Sequence, residues 1–168
     1  MKATDLLKKQ HREVESLFKK ALAAAEPDER SELVDRIEDR LGVHTAIEEE
    51  IFYPAFREEA TTRKAKELVL EAYEEHHVVK LVLEELPDVD PAAESFEAKM
   101  TVLKELVRHH VEEEETEMFP AAEKKLGAER LSALAAEMEA RASEIDSGRD
   151  ESPGESDVRQ DEERARRG

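Results

Sequence analysis

Histidine and glutamate recur in this chain at a spacing that suits metal ligation. The stretch HTAIEEEIFYP runs from His44 to Pro54, and HVEEEETEMFP runs from His110 to Pro120. In both, Glu follows the His at +4 and +5, apolar residues stand at +8 and +9, and Pro closes the stretch at +10. On a helix of about 3.6 residues per turn, positions i and i+4 lie about 40° apart. His44 therefore stands over Glu48, and His110 over Glu114. An imidazole beside a carboxylate on an inward face is half of a metal site, and two such halves point to a dinuclear one.

Two further histidines belong with them. His11, His44, His76 and His110 lie 33, 32 and 34 residues apart, each within an apolar stripe of helical spacing. The stripes are Leu7, Val14 and Phe18 about His11; Ile37, Leu41 and Ile51 about His44; Val69, Ala72, Val79 and Leu83 about His76; and Leu103, Leu106 and Met118 about His110. A lone His in such a stripe is more often a satisfied core residue. Four of them, one per helix, with two carboxylates whose burial alone would cost several kcal/mol, are better explained by a shared cation. Neutral imidazole and carboxylate suit iron or manganese and also accept zinc. Four His and two Glu exceed one tetrahedral zinc and fit two metals about 3.5–4 Å apart. A ferritin-like site needs Glu-x-x-His on two helices. Only Glu74 and His77 offer that spacing, so this alternative is set aside.

The elements that must position these residues follow from the same periodicity. Thr4 and Asp5 can cap a first helix. Pro27 and Asp28 open a second, which Pro54 should kink or end. Thr61 and Thr62 connect to a third, and the turn residues of Pro87 to Pro91 lead into a fourth. Gly127 breaks the chain before a shorter amphipathic helix over 128–145. The expected class is all-α: an up-down-up-down antiparallel four-helix bundle with an additional short C-terminal helix, occupying residues 1–146. Residues 147–168 are mixed in charge and almost free of apolar side chains, which predicts a disordered charged tail.

Composition narrows the function. With 39% apolar and 42% charged residues, few aromatics and little Gly or Pro, the 168-residue chain reads as one helical domain. A formal charge of −18 argues against nucleic acid or anionic membrane as partner. The absence of Cys excludes disulfides, thiolate zinc sites and iron–sulfur clusters. No run approaches the roughly 20 apolar residues of a membrane span. The first residues lack the apolar core of a signal peptide, so the expected location is the cytoplasm.

The residues that carry this reading, Gln10-His11, HTAIEEEIFYP, Glu75-His76 with Val79, Leu83 and Leu86, and HVEEEETEMFP, resemble the hemerythrin-like family of HHE cation-binding domains over about residues 3–125. The resemblance implies a four-helix bundle around two non-haem iron ions, bridged by an oxo or hydroxo group and two carboxylates, with one position open to a small ligand. It implies His11, His44, His76 and His110 as terminal ligands and Glu48 and Glu114 as bridges, with Glu115 as the alternative to Glu114. Oxygen carriers of the family have a fifth His one turn before the third-helix ligand, where this chain has Ala72. Tyr53 or Tyr73 could fill that place, and His77 could serve as a further neighbour of the site. Phe52, Phe119 and Ile51 are expected to form an apolar collar.

The expected function is therefore a di-iron protein that binds or reacts with dioxygen, peroxide or nitric oxide, with catalase-like or peroxidase-like turnover if it is an enzyme. Two alternatives stand beside it. One is an iron-storage or iron/oxygen-sensing bundle without turnover, and the other is a metal-free acidic helical interaction module.

Overall fold

The computed structural model describes residues 1–150. Of the tail expected over 147–168, residues 147–150 are still helical, and residues 151–168 lie outside the described residues. The described chain is all-helical. Helix α1 spans Ala3–Ala23, α2 Pro27–Ile47, α3 Tyr53–Glu59, α4 Arg63–Glu85, α5 Glu94–Glu113 and α6 Phe119–Asp150. None is long and apolar enough to cross a membrane.

Local chemistry explains most of the boundaries. Asp5 accepts the Lys2 amide at 3.1 Å and so closes the first turn of α1, while the Thr4 hydroxyl donates to Glu123 at 2.8 Å instead of capping. Pro27 opens α2, where its missing N–H costs nothing. Thr62 Oγ1 accepts the Ala65 amide at 3.2 Å and caps α4. A 3₁₀ turn, Leu86–Asp88, ends α4, and Asp90 Oδ1 accepts the Ala92 amide in the loop before α5. Gly127 adopts φ 73° and ψ 167°, a region open almost only to Gly, and there α6 bends into its C-terminal segment.

The two prolines do not end their helices. Between α2 and α3 lies a π-helical segment, Glu48–Phe52, and between α5 and α6 another, Glu114–Met118. The wider π turn relieves the clash of the Pro54 ring with the carbonyl one turn back, and helical backbone continues to Glu59. The four arms of the bundle are thus α1, α2 with α3, α4, and α5 with the start of α6. The C-terminal part of α6 packs on α1, α2 and α3 through Leu131, Leu134, Ala135 and Met138.

The core is divided. One apolar cluster joins Leu7, Ile47, Phe52, Phe56, Val69, Met118, Phe119 and Leu131. The other joins Val14, Phe18, Ile37, Leu41, Leu83, Phe96, Met100 and Leu103. The buried polar side chains His11, His44, Glu48, His76, His110 and Glu114 form a layer between them.

Candidate metal centre

Each member of this layer enters from its own stretch of helix. His11 comes from the middle of α1, His44 from the last turn of α2, His76 from α4 and His110 from the last turn of α5. Glu48 and Glu114 are each the first residue of a π-helical segment. Single π turns are frequent at functional sites, because one extra residue re-aims the side chains that follow.

The rings stand in two edge-on pairs. The centroids of His11 and His44 are 4.9 Å apart, and those of His76 and His110 are 4.6 Å apart. Each carboxylate reaches one ring of each pair. Glu48 Oε2 lies 3.3 Å from His44 Nε2 and 3.4 Å from His76 Nε2. Glu114 Oε2 lies 3.2 Å from His11 Nε2 and 3.5 Å from His110 Nε2.

The other ring nitrogen of every His is already committed. Nδ1 of His11 bonds to Glu115 Oε1 at 2.9 Å, that of His44 to Gln10 Oε1 at 2.8 Å, that of His76 to Glu49 Oε1 at 2.9 Å, and that of His110 to Glu75 Oε2 at 2.8 Å. An acceptor at Nδ1 places the ring proton there and leaves the Nε2 lone pair facing inward. All four lone pairs then converge. Those of His76 and His110 come within 3.0 Å of each other. Two lone pairs so placed repel unless a proton or a cation stands between them.

Four buried atoms in the layer, His11 Nε2, His44 Nε2, Glu48 Oε1 and Glu114 Oε2, have no hydrogen-bond partner in the protein. His11 Nε2 and His44 Nε2 lie near carboxylate oxygens but are not aligned to bond to them. No Lys or Arg among the described residues pairs with Glu48 or Glu114, which are 0% and 1% exposed. Burying such groups unsatisfied would cost several kcal/mol. A cation within the layer satisfies all four atoms at once, with donors that suit iron, manganese or zinc. The residues fit a metal. They form two overlapping ligand groups, His11, His44, Glu48 and Glu114 in one, and Glu48, His76 and His110 in the other.

The protonation pattern reflects the same crowding. Burial works against the Glu114 carboxylate, but His110 and His11 outweigh it and hold the group well below the usual range. For Glu48, burial and then the charge of Glu114 push the carboxyl well above that range. Burial and then His11 hold His44 well below the ordinary imidazole value. Burial opposes the charged forms of His11 and His110, yet Glu114 and their other carboxylate partners raise both.

The remaining residues singled out in the sequence fall in different places. Tyr53 lies inside the layer and is fully buried. Its hydroxyl donates to Glu114 Oε1 at 2.8 Å and stands 3.3 Å from His76 Nε2. Burial, then Glu114 and Glu48, raise its phenol well above the usual value, so it keeps its proton. Tyr73 packs edge-on against Tyr53 and donates to the Glu49 backbone carbonyl. Glu115 faces the outer nitrogen of His11, and His77 is exposed on α4. Phe52 and Phe119 cover the layer, Phe119 stacked on the His11 ring at 5.8 Å, while Ile51 is half-buried. The roles of Gln10 and Glu75 behind His44 and His110 were not read from the sequence. The available signal was position, since each immediately precedes a histidine of the layer.

On the opposite side of the layer a cavity of about 20 Å³ is lined by the four His with Val14, Leu41, Thr45, Val79, Val107 and Val111. A groove of about 310 Å³ between α1 and α5 shares His11, Val107 and Val111 with it and opens to the surface past Arg12 and Lys104.

Residues 2–122 match the model of the hemerythrin HHE cation binding domain. The chain is 29% identical over 145 residues to a DNA nickase of Nostoc sp., covering 86% of this chain and 40% of that protein. It is 26% identical over 136 residues to an uncharacterized hemerythrin-like protein of Schizosaccharomyces pombe, covering 81% and 66%. It is 29% identical over 122 residues to the uncharacterized protein Rv2633c of Mycobacterium tuberculosis, covering 72% of each. The chain thus spans less than two thirds of the first two of these relatives. A crystal structure of a hemerythrin HHE cation binding domain-containing protein, the Rv2633c homolog from Mycobacterium kansasii, superposes with TM-score 0.75 at 27% identity, covering 86% of this chain and 87% of that one.

Proposed function

The chain belongs to the hemerythrin HHE cation-binding domain family, and on that premise we propose that it is a non-haem di-iron protein that binds or reacts with a small oxidant, namely dioxygen, peroxide or nitric oxide. The observation that carries this reading is the set of four inward Nε2 lone pairs and two buried carboxylates, each carboxylate reaching both ring pairs. His11, His44, His76 and His110 would be the imidazole ligands, and Glu48 and Glu114 the carboxylate ligands. When bound, such a centre supplies an exchangeable electrophilic position and two electrons at adjacent atoms.

The rest is done by this chain's own side chains. The valine- and leucine-lined cavity beside the four rings has room for about one water-sized molecule and favours an uncharged diatomic over a hydrated ion. The groove between α1 and α5, narrowed by Val107 and Val111, is the path to it. Tyr53 would take the place of the absent fifth imidazole, since its hydroxyl lies among His76, His110 and Glu114.

One observation favours a sensing or storage role for the same site. The polar layer lies between two apolar clusters, so metal occupancy would itself stabilise the fold. The nicking activity named for the Nostoc relative belongs to a protein of which this chain spans 40%, and a net charge of −18 argues against phosphate contact.

Metal content of the aerobically purified protein, with its visible spectrum before and after azide or peroxide, tests the reading. Two irons per chain and a spectrum that responds to azide are expected. No metal, and no uptake of ferrous iron without oxygen, would refute it.

A further inference from the structure

The four histidines are backed by acceptors that differ in charge. Glu115, behind His11, receives two bonds from Arg12, at 2.6 and 3.1 Å, and is neutralised. Glu49, behind His76, is neutralised by Lys80, whose Nζ lies 2.9 and 3.1 Å from its two oxygens. Glu75, behind His110, has no Lys or Arg partner among the described residues. Apart from His110, its basic neighbour is His109 Nε2 at 3.6 Å, on a largely exposed side chain. Gln10, behind His44, is a neutral amide. One imidazole therefore leans on an uncompensated carboxylate, one on no charge at all, and two on neutralised carboxylates.

The two extremes fall in opposite halves of the layer. His110 is paired with His76, and His44 with His11. Gln10 and Glu75 also occupy equivalent places, each one residue before the histidine of its own helix and each bonded to a histidine of another helix. They are one place where the chain departs from its internal two-fold pattern, Tyr53 against Phe119 being another. A carboxylate that accepts Nδ1–H draws the proton outward and makes Nε2 a stronger electron donor, and an amide does so less. Stronger donation favours tighter cation binding and the higher oxidation state.

We propose that Glu75 and Gln10 are positioning residues that make the two metal positions unequal. The His76–His110 half binds its cation more tightly and favours the ferric state. The His11–His44 half is weaker and more readily reduced. This rests on the cation-binding reading above and adds an order of occupancy and of reduction to it.

The test exchanges the two charges while keeping size and acceptor oxygen, with E75Q, Q10E and the double variant in the full chain. Metal-free protein is titrated anaerobically with Co(II), and the iron-loaded protein is titrated reductively while the mixed-valence signal is followed. Wild type should fill in two separated steps. E75Q should weaken the tighter step by about ten-fold and raise one reduction potential. Q10E should tighten the weaker step and lower the other potential, and the double variant should invert the order. K80M, at an exposed side chain, strips Glu49 of its counter-charge and should widen the gap without risk to the fold. Two cations bound but steps unmoved by any of these substitutions, or moved in one common direction, would overturn the inference alone. No cation uptake by the wild type would overturn it together with the proposed function.

Discussion

The Tyr73 hydroxyl donates to the backbone carbonyl of Glu49 across 3.1 Å. In the π register Glu48 O accepts the amide of Tyr53, so the next carbonyl, that of Glu49, would accept the amide of Pro54. Proline has none. A side chain from α4 thus completes the bonding of the segment that begins with Glu48.

Replacing Tyr73 by Phe removes that donor and leaves a partly buried carbonyl unpaired. We expect a loss of about 1–2 kcal/mol in urea unfolding, with faster amide exchange confined to the first π-helical segment. Unchanged exchange there would show that water replaces the phenol without cost.

Tyr53→Phe acts inside the layer. Glu114 Oε1 loses its 2.8 Å donor, and the metal-free protein should lose about 1–3 kcal/mol while keeping its fold. The iron-loaded variant should still bind two ions and lose any phenolate-to-iron absorption. An identical visible spectrum in the variant would remove Tyr53 from the coordination sphere.

Glu48 sets a pH dependence. Its carboxyl is held well above the ordinary 4.5 by burial and then by the charge of Glu114. Between 4.5 and that raised value the folded chain keeps a proton that the unfolded chain has lost, so the metal-free fold loses stability as pH rises through this window. Cation uptake expels the proton, so affinity should rise with pH over the same window. Zinc titration calorimetry in two buffers of different ionisation enthalpy checks this, and equal heats in both would contradict it. Glu48→Gln should raise metal-free stability and abolish the metal-induced rise in Tm.

Val111 borders both the groove and the inner cavity. Val111→Phe should slow azide binding to the iron-loaded protein several-fold, with metal content and final spectrum unchanged. An unaltered association rate would place the route elsewhere.

Gly127 offers a purely conformational test. An added Cβ meets nothing within 4 Å, yet φ 73° with ψ 167° is strained for any L side chain. Gly127→Ala should cost about 1–3 kcal/mol and leave metal uptake intact.

Much of this was legible in the sequence, for physical reasons. One His per helix at near-constant spacing, inside apolar stripes, identifies four arms and the inward face of each. The i+4 carboxylates identify Glu48 and Glu114 as members of the layer. Pro54 signals a kink or an end, and the structure answers with a π turn through which helical backbone continues. The partners of Nδ1 were largely invisible because each bond crosses between helices. Whether Glu75 meets His110 depends on the relative rotation and height of α4 and α5, which a single-helix pattern does not contain. Tyr53 and Tyr73 could not be ranked for the same reason, and interhelical geometry separates them by sending one phenol inward and the other to a carbonyl.

The division of the core has a consequence for how damage spreads through the molecule. The two apolar clusters share no residue, so truncations such as Leu131→Ala in one and Leu103→Ala in the other should add in their effects on stability. Mechanical unity between the halves then resides in the backbone and in the polar layer with Tyr53, and whatever ties those side chains together governs whether the bundle melts as one body or as two.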